Sequence, residues 1–162
     1  MIGQLYLAFA RAAESLQTPF LLLVRLYWGW QFMQTGWGKL HHLEKVTSFF
    51  ASLNLPAPAF TAVMIGTLEF TGGILLILGL GSRLIGLLLS VNMMMAYITA
   101  DREALASIIQ DPGKFYNADP FTFLMASLIV LSFGAGALSI DHLLQKRFGQ
   151  KRIWAQPSPA IK

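Results

Sequence analysis

The sequence predicts an all-α integral membrane protein, built as an antiparallel four-helix bundle with short interfacial helices. Three observations predict this fold class. Only 12% of the 162 residues are charged, about half the share carried by soluble domains. Apolar residues make up 55% of the chain and the mean hydropathy is +0.56, so a soluble fold would expose large apolar patches. Four apolar stretches approach the roughly 20 helical residues that cross a bilayer.

The four expected spans lie at about 19–38, 58–80, 82–100 and 120–140. Proline opens the first, second and fourth, where its missing N–H has no helical acceptor to lose. Gly79 and Gly81 mark a tight turn between the second and third. Because the connections are short, consecutive spans are expected to run antiparallel.

Amphipathic segments flank the spans. Residues 1–17 are expected to form an interfacial helix, because apolar residues recur there at helical spacing. A second interfacial helix is expected at 43–53. Residues 101–119 are polar, with a short helix up to about position 110 and a turn at 111–113. The expected organisation is the interfacial helix, a four-span domain at 18–141 and a basic cytoplasmic tail at 142–162, mobile or on the membrane surface.

The distribution of lysine and arginine predicts the orientation. An even number of spans places both termini on one side, together with the turn after the second span. Seven Lys and Arg fall on that side and four on the other. Cytoplasmic loops carry the excess of these residues, so both termini are expected in the cytoplasm, with the spans in the cell (inner) membrane. The seven are Arg11, Arg83, Lys146, Arg147, Lys151, Arg152 and Lys162, and the four are Lys39, Lys45, Arg102 and Lys114.

Four charged residues lie in or beside the spans. Arg25 is about 9 Å inside the first span and Glu69 is about 16 Å from the same membrane face, at 1.5 Å per residue. Such a charge costs roughly 2.5–3.5 kcal/mol on insertion scales unless it is paired or hydrated. We therefore expect Arg25 to reach Glu69. Arg83 and Asp141 flank the same face, so all four side chains are expected to converge there.

Each span also carries a stripe of small or polar residues, which lets helix backbones approach in lipid. The stripes are Arg25, Gly29, Gly36 and Lys39 in the first span; Gly66, Glu69 and Gly73 in the second; Arg83, Leu87, Ser90, Met94 and Tyr97 in the third; and Ser127, Gly134 and Asp141 in the fourth.

The charged and aromatic residues have two interpretations each. The charges either tie the bundle together or handle a ligand or proton. Lys39, at a span end, has a further alternative, which is to extend toward water. The aromatic residues of the first span either line a site for a ring-shaped ligand or belong to interfacial belts. They are Tyr27, Trp28, Trp30 and Trp37, and Trp154 belongs with the belts.

Other site classes are disfavoured by composition. The chain has no cysteine, which excludes disulfides, iron–sulfur clusters and thiolate nucleophiles. His41 and His42 point about 100° apart on a helix and are poorly placed to share a metal. We expect no metal site, no covalently bound cofactor and no nucleic-acid partner.

Three segments resemble the DoxX/DoxD family of small four-helix membrane proteins. The first is RLYWGWQFMQTGWGKL, from Arg25 to Leu40. The second is LEFTGGILLILGLGSRL, from Leu68 to Leu84, and the third is FGAGALSID, from Phe133 to Asp141. The resemblance covers about residues 19–141.

The resemblance implies a small integral subunit of a membrane redox complex that contacts quinone, as in thiosulfate:quinone oxidoreductase. It also implies a redox partner subunit that supplies the electrons. The recurring charged residues of the family fall at Arg25, Lys39, Glu69, Arg83 and Asp141, without assigned catalytic roles.

Our working hypothesis is a quinone headgroup site inside the bundle. Arg25 or Lys39 would hydrogen-bond a quinone carbonyl, and Glu69 would deliver or accept the proton. Trp28 would stack on the ring, and Tyr97, Arg83 and Asp141 would complete the site. The alternatives are a non-catalytic scaffold or anchor subunit, which can self-associate, and, ranked last, a small-solute transporter.

Overall fold

The computed structural model describes residues 2–148, and this part of the chain is all-helical. Its helices are α1 (Ile2–Ser15), α2 (Gln17–His41), α3 (Leu43–Ser52), α4 (Pro58–Leu78), α5 (Ser82–Thr99), α6 (Arg102–Ala106), α7 (Pro112–Asn117), α8 (Pro120–Phe133) and α9 (Ile140–Phe148). The all-α prediction is confirmed.

Two helices, α4 and α5, are long and apolar enough to cross a membrane, while α8 is apolar but has only 14 residues. The four-span bundle therefore stays a prediction. The expected end of the fourth span at position 140 is wrong, because the helix stops at Phe133. Gly134 and Gly136 then adopt φ of 76° and 75°, a backbone region that favours glycine and ends the helix.

The helices that flank the long ones agree in part with the predictions from the sequence. Helices α1 and α3 lie within the two expected interfacial segments. Helix α7 replaces the turn expected at 111–113, because Pro112 occupies its first turn rather than a turn corner. The expected tail begins as helix α9. Its remainder, with Lys151, Arg152, Trp154 and Lys162, lies outside the described residues.

Helices α2 and α4 form the closest helix pair. Gly29 lies against Gly73, and Gly36 lies against Gly66 and Phe70. A Cβ on Gly36 would be 2.3 Å from the backbone nitrogen of Phe70, and one on Gly73 would be 2.5 Å from the carbonyl oxygen of Gly29. The glycine contacts set an antiparallel register in which residue 29 faces 73 and residue 36 faces 66.

Helices α5 and α8 form the second close pair, and contacts of α4 with α5 and of α2 with α8 join the two pairs. Gly86 permits the α5–α8 approach, since its Cβ would lie 2.9 Å from the backbone nitrogen of Leu131. The core lies between these four helices. Its buried members are Phe32, Leu76, Leu89, Met93, Tyr97, Leu124 and Val130.

The outer surfaces of the long helices are strongly apolar. Phe20 and Leu23 on α2, Phe60 on α4, and Leu84 and Val91 on α5 are each more than half exposed. A water-soluble protein rarely exposes so much contiguous apolar surface. Such a surface suits contact with lipid chains.

Candidate functional site

A buried carboxylate lies at the centre of the bundle. Glu69 is 2% exposed, and its Oε2 accepts a hydrogen bond from Lys39 Nζ in an ion pair. Its Oε1 accepts a hydrogen bond from Asn92 Nδ2 at 2.9 Å. Both carboxylate oxygens are therefore satisfied by donors from two other helices, α2 and α5, as a buried charge requires.

The glycine-rich face of α4 positions this site. Gly66 lies one turn before Glu69, and a Cβ there would be 3.3 Å from Cβ of Lys39. The missing side chain leaves room for the lysine stem, and Lys39 extends along α4 toward the helix centre. Its ammonium therefore lies on Glu69 rather than pointing to water, and the side chain remains 28% exposed.

Asn92 is a site residue that the sequence analysis missed. Glu69 lies 10 positions before Gly79 and Asn92 lies 11 positions after Gly81, so two antiparallel helices place them at nearly the same level. A carboxylate and a carboxamide in mirrored positions of a helical hairpin were the available signal. The stripe that helical spacing predicts for the inner face of α5 is correct at Ser90 and Tyr97, which are buried, and wrong at Arg83, Leu87 and Met94, which are exposed.

Arg25 does not pair with Glu69, contrary to the expectation from sequence. Its Nε donates to the carbonyl of Leu76 at 2.9 Å and its Nη2 to that of Ile77 at 3.0 Å. Its Nη1 donates to the carbonyls of Ala135 and Leu138, the latter at 3.0 Å. The buried guanidinium thus donates to two carbonyls in the last turn of α4 and to two in the loop after α8. The carbonyl of Leu76 also accepts from the N–H of Gly79 at 3.1 Å.

Asp141 serves the same end of the bundle. Its two carboxylate oxygens accept hydrogen bonds from the backbone N–H groups of Gly81 and Ser82, at 2.7 and 2.9 Å. These are unpaired donors at the N-terminus of α5, where a negative charge is stabilising. The N–H of Asp141 in turn donates to the carbonyl of Gly79 at 2.9 Å. We call Arg25, Asp141 and their backbone partners the end clamp.

The remaining predicted site residues are dispersed. Arg83 is exposed at the start of α5, beside Gly134. Tyr97 is buried near the other end of α5, where its hydroxyl donates to the carbonyl of Phe115 at 2.7 Å. Trp28 stacks on Phe123 with ring centroids 6.1 Å apart. Of the four charged residues expected to converge, Arg25 and Asp141 meet in the end clamp and Arg83 lies at the same end, whereas Glu69 lies apart from them in the bundle interior.

Trp28 also borders an apolar groove between α2 and α8, with a volume of about 400 Å³. The groove is lined by Leu23, Val24, Tyr27, Trp28, Phe121, Thr122, Met125, Ala126 and Ile129. The end clamp contributes no residue to this lining. Between residues 2 and 148, no three His, Asp or Glu side chains lie close enough to hold a metal ion.

Asp101, which lies between α5 and α6, has a raised pKa. Burial raises the pKa of Asp101 above its ordinary value of 3.8, and the charge of Asp119 raises it further. Asp101 follows α5 and precedes α6, so this effect belongs to the end of the molecule opposite the end clamp.

Comparison with known proteins identifies the family. The DoxX family model matches residues 20–102, just over half of the chain. The chain belongs to the DoxX family. The "Putative oxidoreductase CatD" of Bacillus subtilis (strain 168) is 35% identical over 125 residues, which are 77% of this chain and 87% of that protein. The "Uncharacterized membrane protein Rv3486" of Mycobacterium tuberculosis (strain ATCC 25618 / H37Rv) is 27% identical over 141 residues, covering 80% and 83% of the two chains.

No solved structure matches this DoxX-family chain at a significant level. The DoxX match includes Arg25, Lys39, Glu69 and Asn92, whereas Asp141 lies beyond it. The DoxX family and the relative named as a membrane protein support a membrane location for this chain. The prediction of family membership is confirmed.

Proposed function

We propose that this DoxX-family protein is an integral membrane subunit of a quinone-linked redox complex, resembling thiosulfate:quinone oxidoreductase. In this proposal the site of Lys39, Glu69 and Asn92 exchanges protons with a quinone headgroup. The observation that supports it is a fully buried, fully hydrogen-bonded carboxylate whose cationic partner is partly exposed. Ionisable residues within membrane helices are commonly functional.

The chemistry divides between this chain and a partner. A quinone takes up two electrons and two protons to become a quinol. The electrons come from a donor on the partner subunit. Lys39 donates a hydrogen bond to a quinone carbonyl and stabilises the negative charge that develops on its oxygen. Lys39 gives its proton to the reduced quinone oxygen. Glu69, which is ionised in the ion pair, then takes up a proton from water at the partly exposed lysine side chain and passes it to the neutral lysine amine.

Lys39 is the better of the two cations for this role. All three nitrogens of the Arg25 guanidinium already donate to backbone carbonyls, four in all. Trp28 is 11 positions before Lys39, about 16 Å along the helix, so one quinone ring cannot contact both. The ring-stacking role of Trp28 would therefore belong to a second position in the groove, away from Glu69.

A scaffold function is the second candidate, and the end clamp favours it. Arg25 and Asp141, two of the charges that the resemblance singles out, are both engaged with backbone groups. Their geometry accounts for them as structural residues without any ligand. In this alternative the chain anchors a redox partner, and Lys39 and Glu69 only hold α2 and α4 together.

Quinone binding distinguishes the two candidates. The purified protein in lipid nanodiscs is titrated with decylubiquinone, and binding is followed by quenching of tryptophan fluorescence. We expect Lys39→Met and Glu69→Gln to weaken binding at least tenfold. The first removes the donor to the quinone carbonyl, and the second removes the carboxylate that holds this donor in place. The matched controls are Lys45→Met and Glu44→Gln, which change the same side chains on exposed positions of α3.

Equal affinity in the site variants and the controls would reject the quinone site and favour the scaffold. Retention of the folded state is checked by gel filtration and circular dichroism. The double variant Lys39→Met with Glu69→Gln leaves no unpaired charge, so loss of binding in that folded protein is attributable to the site.

A further inference from the structure

Helix α9 begins at one end of the two helices that are long and apolar enough to cross a membrane. Helices α4 and α5, of 21 and 18 residues, are about 27–32 Å long, which is close to the thickness of the hydrocarbon core. With both helices across the bilayer, the Gly79–Gly81 turn that joins them lies at the level of the lipid headgroups. The end clamp holds the start of α9 against this turn through the hydrogen bonds of Asp141.

Three exposed cations lie near this level. Arg83 is in the first turn of α5, directly after the Gly79–Gly81 turn. Lys146 and Arg147 follow Asp141 by five and six positions, which is about 8–9 Å along α9. Within residues 2–148, the side chains of these three cations make no ion pair and no hydrogen bond. Their charges are therefore free to meet a group from outside the protein.

Few carboxylates offset these charges. Asp141 is the single acidic residue in the segments 79–100 and 133–148, and both of its oxygens already accept backbone N–H groups. Its charge is also opposed by that of Arg25 within the end clamp. Among the described residues, Glu14 at the exposed end of α1 is the one further acid near this end. The surface around α9 is therefore positively charged.

Helix α9 also exposes apolar side chains next to its cations. Leu143 and Leu144 are 63% and 40% exposed, and Lys146 and Arg147 follow within one turn. A helix of this kind lies at the membrane interface, with its apolar side chains at the acyl boundary and its cations among the headgroups. An acidic soluble protein would pair with the cations but would leave the leucines in water. A lipid surface satisfies both.

We propose that Arg83, Lys146 and Arg147 form a binding surface for the headgroups of anionic phospholipids. A phosphate group accepts charge-assisted hydrogen bonds from lysine and, in bidentate form, from arginine. Basic residues close to a membrane surface attract anionic lipids. The surface concentrates these lipids around α9, and they hold the helix on the membrane. The proposal does not depend on the quinone site.

The absence of native cysteine permits a test with one fluorophore on α9. Leu143→Cys is labelled with a dansyl group and reconstituted in phosphatidylcholine vesicles that contain increasing mole fractions of a quenching lipid. This lipid is phosphatidylglycerol or phosphatidylcholine, each with the same nitroxide on its acyl chain near the headgroup. We expect the mole fraction at half-maximal quenching to be about fivefold lower for phosphatidylglycerol, the effect of one basic residue at a membrane surface.

Charge variants of the labelled protein test the named residues. Lys146→Gln with Arg147→Gln should remove most of the difference between the two lipids, and Arg83→Gln should reduce it. The matched control is Lys45→Gln with Lys114→Gln, two exposed lysines at the opposite end of the molecule, which should preserve the difference. Gel filtration verifies that each variant is folded. Equal quenching by both lipids in the protein with its native charges, or an unchanged difference in Lys146→Gln with Arg147→Gln, would overturn the proposal.

Discussion

Arg25 and Lys39 lie on the same face of α2 but have different partners. Arg25 donates four hydrogen bonds to carbonyl groups, whereas Lys39 forms an ion pair with a carboxylate. The planar guanidinium, with five donors in a fixed arrangement, suits several carbonyls at once. The single ammonium of lysine suits one buried anion. Substitutions at the two positions therefore have different expected effects.

Removal of the Arg25 side chain should destabilise the protein strongly. In Arg25→Ala four carbonyls lose a hydrogen bond, of which, within residues 2–148, only that of Leu76 keeps another backbone donor, the N–H of Gly79. We expect the free energy of unfolding to fall by about 3 kcal/mol. Arg25→Lys should recover only part of this, since an ammonium cannot span all four acceptors. Chemical unfolding in detergent measures both. The control is Arg83→Ala, an exposed cation whose loss should change stability by about 0.5 kcal/mol or less.

A double-mutant cycle should assign the partner of Glu69. Lys39→Met leaves a buried carboxylate without its cation, and Glu69→Gln added to it should recover much of the lost stability. The same Glu69→Gln change should be additive with Arg25→Ala, because those two sites share no contact. Unfolding free energies of the single and double variants give both coupling energies. Strong coupling of Arg25 with Glu69 would contradict the hydrogen bonds described above.

At the scale of the helices, glycine contacts determine how closely α2 and α4 approach. Gly36→Ala would place a methyl group 2.3 Å from a backbone nitrogen of α4, so the helices must separate. We expect a loss of about 1–3 kcal/mol or more in stability. Thermal unfolding of the purified variant measures it.

Gly38→Ala is the matched control on the same helix. A Cβ at Gly38 has no atom within 4 Å outside its own helix and chain neighbours, and alanine favours helix over glycine by up to about 1 kcal/mol. We therefore expect this variant to be as stable as the native protein or slightly more stable. Equal destabilisation by both substitutions would show that helix propensity, rather than the α2–α4 contact, governs position 36.

The junction of α5 and α6 should make stability depend on pH. Burial and the charge of Asp119 raise the pKa of Asp101 in the folded protein above 3.8. The folded state thus holds this proton at pH values where the unfolded chain has released it. Stability should fall as the pH rises from about 4 through the raised pKa.

Asp101→Asn should remove this component of the pH dependence and stabilise the protein near neutral pH. Unfolding at a series of pH values measures the slope. Glu103→Gln, which removes an exposed charge from α6, controls for the change in net charge. If the slope of unfolding free energy against pH is unchanged in Asp101→Asn, Asp101 is not the cause of the pH dependence.

At the scale of the whole molecule, the proposed orientation is open to labelling. Ile109, which is 89% exposed between α6 and α7, is expected outside the cell, and Gln145 on α9 is expected inside. In intact cells a membrane-impermeant maleimide should label Ile109→Cys but not Gln145→Cys. After lysis it should label both. The reverse pattern would invert the proposed topology.

The helices were predictable because their boundaries depend on local chemistry. Pro58 and Gly79 bound α4 much as the sequence indicates, and the small residues of α2 and α4 lie on the faces expected from helical spacing. The end of α8 was harder to predict from the sequence. Gly134 ends the helix through its positive φ, in a loop whose Ala135 carbonyl accepts a hydrogen bond from Arg25.

The sequence identified the carboxylate of the candidate site but not the side chains that contact it. Glu69 is conspicuous as an acid within an apolar helix. The acceptors of Arg25 are backbone carbonyls, which every residue carries, so no side-chain pattern identifies them. Asn92 was accessible in principle, since its mirrored position across the hairpin is a property of the sequence alone.

The end clamp also has a consequence for biosynthesis. Arg25 is translated with α2, but two of its acceptors, Ala135 and Leu138, follow 110 and 113 positions later. At about 5–20 residues per second, the ribosome supplies them roughly 5–20 s after Arg25. During this interval α2, the expected first span, carries a cation that lacks part of its hydrogen bonds, so we expect it to remain in a polar environment beside the insertion machinery. Nascent chains that end before Ala135 keep that defect permanently, and we expect membrane proteases to degrade them.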